Sequence, residues 1–123
     1  MEPFKPHENL ANEVNRAIVE SELCGGISLN DLVVGCKLCI YLRTGYYLLE
    51  HRRDGFYMSE HPFSGGSGYW EGSVKCVVTG SVFSPESSML KMKWVGRGMF
   101  LEFHLNDGPR LLSKTEILEI EEI

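Results

Sequence analysis

The chain has 123 residues, of which 43% are hydrophobic and 24% charged, and its formal net charge is −5. That length supports one domain with one core and is too short for two. An acidic whole argues against sequence-independent nucleic-acid binding, which draws its affinity from neutralised phosphates, and no apolar run approaches the ~18 residues of a membrane-spanning helix.

Charge is unevenly spread. Residues 1–34 and residues 101–123 each carry two bases against six acids, whereas residues 35–100 carry eight bases against five acids. A basic face therefore belongs to the central segment if it exists at all. The opening MEPFKPHENLANEV has neither a basic n-region nor an apolar h-region, so a cytoplasmic location is expected. Four cysteines are then expected as free, buried thiols in a reducing compartment.

In chain order, Leu10, Val14, Ala17 and Ile18 recur at helical spacing. Asn9 suits a cap and Gly25-Gly26 a stop, which predicts one amphipathic helix over residues 9–23. A β domain is expected over residues 32–123. From Cys36 to Thr44 the residues alternate, with Cys36, Leu38, Ile40 and Leu42 inward and Lys37, Cys39, Tyr41 and Arg43 outward. Tyr46 to Arg52 reads as a second strand. Arg-Arg-Asp-Gly then turns the chain into a third, Phe56 to Ser59.

The segment His61 to Gly72, HPFSGGSGYWEG, reads as a loop on its glycine content. A fourth strand is predicted over Val74–Val82 and a fifth over Met89–Val95. The fifth has Leu90, Met92 and Trp94 on one face and Met89, Lys91 and Lys93 on the other. A sixth, Met99 to Leu105, places Met99, Leu101, Phe103 and Leu105 inward and Phe100, Glu102 and His104 on the polar face. Arg110–Ser113 and Ile117–Ile120 close the chain, and the terminal acids of EIEE read as a solvated tail. Short strands with turns every eight to twelve residues suggest a small barrel or sandwich.

The stretch SMLKMKWVGRGMFLEF, followed by GPRLLSKTEILEI, resembles the C-terminal half of a group of small bacterial all-β proteins of uncharacterised function. A lysine-bearing strand, a G-x-G-M turn, a strand ending in L-E-F and a T/S-rich closing strand recur in them. The resemblance implies an SH3-like or similar small barrel and supplies no activity.

Cys36 and Cys39 form a C-x-x-C pair, half of a structural zinc site. The second pair is missing: Cys24 and Cys76 stand alone, and His51, His61 and His104 are scattered. Strand residues three apart face opposite sides, so the pair reads as two strand cysteines. A redox role would need a helix after the first cysteine, and a strand pattern follows instead. GGSG lacks the lysine and helix of a phosphate loop, and neither a nucleophile elbow nor a metalloprotease motif is present. No metal and no cofactor is expected.

Candidate ligand-binding residues are Arg52, Arg53, Trp70, Lys91, Lys93 and His104, with Tyr41, Arg43 and Tyr69 as further exposed aromatics and bases. Tyr69 and Trp70, beside the glycine-rich loop, fit a contact patch, and Trp70 equally fits a plug over the barrel end. Alternating lysines also protect an edge strand.

The fold expected is mainly β: an SH3-like or related small, partly open barrel of six or seven strands with one N-terminal helix. The function expected is that of a non-catalytic cytoplasmic binding or scaffolding module. Its partner is an unknown protein or small ligand, and self-association through an edge strand or the apolar side of the helix is open to it. A nucleic-acid-binding barrel using the basic central strands is one alternative. A small enzyme using Glu102 and His104 as an acid–base pair is another.

Overall fold

The computed structural model describes residues 25–65 and 68–123. The helix expected over residues 9–23 lies outside the described residues. The described chain is mainly β. Its strands are β1 (Gly26–Ser28), β2 (Lys37–Tyr41), β3 (Gly45–Arg52), β4 (Gly55–Pro62), β5 (Val74–Val82), β6 (Leu90–Met92), β7 (Trp94–Gly96), β8 (Phe100–Leu105), β9 (Leu111–Leu112) and β10 (Glu119–Glu122), with a 3-10 turn at Leu29–Asp31. Among the described residues no helix is long and apolar enough to cross a membrane.

The main sheet runs β10-β2-β3-β4-β5-β8-β9, with β6 pairing β5, while β1 and β7 form a separate two-stranded sheet. Neither sheet closes on itself. The C-terminal segment nevertheless ties the two flanks of the main sheet together. The Ile117 amide donates to the Met99 carbonyl at 2.8 Å, and the Leu118 amide donates to the Tyr41 carbonyl at 2.8 Å.

Two-residue periodicity explains the core. Leu38 and Ile40 of β2, Tyr47 and Leu49 of β3, Met58 of β4, Val78 of β5 and Leu101 and Phe103 of β8 share one side of the sheet and are buried together. Each such side chain contributes about 1.5–3 kcal/mol on leaving water. Turn chemistry sets the register. The Arg53-Asp54 turn leads into Gly55 at φ +135°, so β3 and β4 pair without offset from Gly45 opposite Pro62 to Arg52 opposite Gly55.

Several expectations are corrected. The fifth strand is two: Lys93 sits at φ 56°, a left-handed kink that sends Leu90–Met92 to β5 and Trp94–Gly96 to β1. The kink breaks the alternation expected from Met89 to Val95, and Met92 is exposed. β4 runs on through His61 and Pro62, which the glycine-rich composition assigned to a loop. The acids of EIEE are exposed as expected, but the segment is not a loose tail. It is β10, paired with β2, with Ile120 buried and Glu119 bonded to Arg97.

Cys39 lies on the face opposite Leu38 and Ile40 but is buried, not exposed. It sits between Leu48 of β3 and Glu121 of β10, and strands on both sides exclude water from it. Glu102, expected on a wet face, is also buried. Residues 26–31, left outside the predicted β domain, supply β1 and the 3-10 turn.

Candidate functional site

β5 pairs with β4 only from Phe56 to Met58, so among the described residues Ser59–Pro62 has no strand on that edge. The chain fills the gap with the segment after β4. Trp70 donates its indole N–H to the Met58 carbonyl at 3.1 Å, and the Tyr69 amide donates to the Glu60 carboxylate. Trp70 also packs against Tyr47 and Phe103, with ring centroids 5.8 Å and 6.0 Å away. It therefore plugs the core and anchors the loop at once.

The folded-back segment leaves an open cleft of about 660 Å³ at the Gly45/Pro62 end of the β3–β4 hairpin. It is lined by Leu42, Thr44, Tyr46 and Tyr47, by Glu60, His61, Pro62 and Phe63, and by Tyr69 and Lys114. A second, shallower cleft adjoins it, sharing Glu60 and His61 and adding Trp70 and Glu71. Phe63 is 61% exposed and Tyr69 74% exposed, so their rings face solvent.

On the outer face of the sheet, Tyr46 stacks on His61 at 4.7 Å and tilts against Phe63 at 6.3 Å. Lys114 Nζ lies 4.3 Å from the centroid of the Tyr69 ring. Burial, reinforced by Glu60 and Tyr69, pushes the Tyr47 phenol well above its ordinary value, so it is a neutral wall of the cleft at any physiological pH.

The residues singled out from sequence are dispersed. Arg52 donates to Glu50 at 3.2 Å and lies 4.1 Å over the Tyr57 ring; Arg53 is exposed in the adjoining turn. Both sit at the far end of the β3–β4 hairpin, roughly 23 Å from the cleft at ~3.3 Å per strand residue. Lys91 lies 4.1 Å over the Trp94 ring, and Lys93 occupies the exposed kink. Of the six, Trp70 alone lines either cleft.

The Glu102/His104 pair is engaged in the fold. Burial disfavours ionisation of Glu102, but bonds from the Thr79 hydroxyl and the Arg110 guanidinium outweigh it and hold the carboxyl below its ordinary value. His104 Nδ1 faces the Gly108 carbonyl at 3.0 Å. Among the described residues no group of three His, Cys, Asp or Glu side chains converges to hold a metal ion.

Tyr46, His61, Phe63 and Lys114 were not read from the sequence as site residues. The available signal was the HPF and GYW triplets bracketing the glycine-rich loop; what brings Lys114 to them is the return of the C-terminal segment, which no local pattern encodes. Ser59 and His61 make a further contact unseen in the sequence, Oγ to Nε2 at 2.8 Å. Comparison with protein-family models, with curated proteins and with solved structures gave no match.

Proposed function

We propose that this chain is a small, non-catalytic cytoplasmic binding module built on an SH3-like, partly open barrel, and that the aromatic cleft is its ligand site. One observation carries the reading: exposed Phe63 and Tyr69 rings converge with a few polar groups on one concavity, the usual composition of a ligand pocket. The implied resemblance to small bacterial all-β proteins is compatible with this reading and adds no ligand to it.

Phosphate binding by the central strands is less well supported. Arg43 pairs with Glu116, Arg52 with Glu50, Lys75 with Asp54 and Arg97 with Glu119, so these bases meet acids within the chain. The Ser59–His61 contact is the one observation that favours catalysis. Ser59 lines neither cleft, and we read the pair as a bond along the outer face of β4.

The test is a small-fragment library screened by intrinsic tryptophan fluorescence against the wild type and a Phe63→Ala/Tyr69→Ala variant. Both rings are exposed, so the variant is expected to keep its thermal midpoint while its hits disappear. Hits that persist unchanged in the folded variant would overturn the assignment.

A further inference from the structure

The cleft already holds one occupant of its own. Lys114 Nζ is seated over the Tyr69 ring at 4.3 Å, and both residues line the cleft beside Glu60. A π face attracts a cation through its quadrupole, and in open solvent the attraction is weak. Tyr69 is 74% exposed, so the long, flexible Lys114 side chain can leave at little cost.

What it would leave is a seat of defined chemistry. Tyr69 presents a ring face, and Tyr46 and Phe63, tilted at 46° to one another, line the same cleft. Glu60 spends its Oε1 on the Tyr69 amide, which ties the carboxylate to the residue that carries the ring, and Glu71 adds negative charge in the adjoining cleft. An anionic ligand would meet these carboxylates and the negative ring faces, with Lys114 the one Lys or Arg in its favour among the described lining residues. A neutral ligand would gain nothing from the carboxylates.

Resting on the reading of the cleft as a ligand site, we infer that it takes an alkylammonium group of the kind a partner protein's lysine side chain presents, and that Lys114 is an internal surrogate which this ligand displaces. The cation sits against Tyr69 with Glu60 as its counter-charge. Lys114 therefore holds the empty site in a self-occupied state and weakens the first binding step.

The experiment follows the amide and ring resonances of the intact protein during titration with three probes: Nα-acetyl-lysine-N-methylamide, choline, and the neutral choline isostere 3,3-dimethylbutan-1-ol. The lysyl probe is expected to shift Tyr46, Phe63 and Tyr69 saturably and to bind about five- to tenfold more tightly than the neutral isostere. Lys114→Ala is expected to tighten the lysyl probe about three- to fivefold by removing its competitor. Glu60→Gln, which keeps an acceptor for the Tyr69 amide, is expected to weaken it by a similar factor.

Equal binding of the neutral isostere, or weaker lysyl binding in Lys114→Ala, overturns the cation assignment while leaving the cleft a ligand site. Choline binding more tightly than the lysyl probe overturns the protein source. If all three probes and the fragment library leave the cleft resonances unmoved, the reading of the cleft itself falls.

Discussion

Replacing Glu102 by glutamine separates the structural role of this carboxylate from the acid–base role its neighbour His104 first suggested. The side chain is buried on β8, with Thr79 and Arg110 bonded to it. Glutamine keeps the shape but has one acceptor oxygen, so it can accept from Arg110 without charge while its amide N–H turns to the Thr79 hydroxyl oxygen. Charge-assisted bonds contribute about 1.5–3 kcal/mol and neutral ones about 0.5–1.5 kcal/mol. Arg110 is half-exposed, at 47% of its side chain, so its share stays near the surface value. The expected loss is about 1–2 kcal/mol at pH 7, or roughly 4–8 °C in thermal midpoint for a domain of this size.

The pH dependence identifies the cause. The Glu102 carboxyl is held below its ordinary value of 4.5, so its ionised form stabilises the fold fully above about that pH. The contribution disappears as pH falls through the lower, folded value. Urea unfolding of wild type and Glu102→Gln, measured from pH 8 downward, is therefore expected to show a constant gap to about pH 5 that closes in more acid solution. A gap that persists unchanged at pH 3, or none at pH 7, would refute the ion-paired role.

Burial pushes the Cys76 thiol up to about 12, so iodoacetamide at pH 8 is expected to leave it unmodified in the native protein and to modify it once urea unfolds the chain. Native labelling of Cys76 seen by peptide mass mapping would contradict its burial in β5. Gly80, at φ +150°, lies at the bulge where β5 shifts register against β8, and an added Cβ would meet the Lys91 carbonyl oxygen. Gly80→Ala is expected to cost about 2–4 kcal/mol from left-handed strain and backbone overlap. A change below 0.5 kcal/mol in chemical denaturation would show that β5 and β6 do not pair as described.

Local pattern made much of the sheet legible. Period-two alternation placed Leu38, Ile40, Leu101 and Phe103 in the core, and the Val74–Val82 strand has the bounds its composition suggested. The Asp-Gly signal located the β3–β4 turn. Alternation failed at Lys93 because one left-handed residue reverses the phase of every side chain after it. It also misjudged Cys39 and Glu102, since an outward-facing residue is exposed only when neighbouring strands and bases leave that face open.

The site was less legible than the fold. Arg52, Arg53, Lys91 and Lys93 drew notice for their charge, yet residue type does not reveal that Glu50 already holds Arg52 or that Trp94 holds Lys91. The cleft depends on β5 ending its pairing at Met58 and on Lys114 returning to Tyr69. Both are long-range events that no local pattern encodes; the HPF and GYW triplets beside the glycines marked only the aromatic lining.

Where the first ligand binds tests the account most directly. In a ¹⁵N-labelled sample of the full chain, fragments found by fluorescence are predicted to shift amides at Thr44–Tyr47, Glu60, His61, Phe63, Tyr69 and Lys114. Shifts confined to the Arg52–Gly55 turn or to Lys91–Lys93, with the cleft amides unmoved, would contradict it.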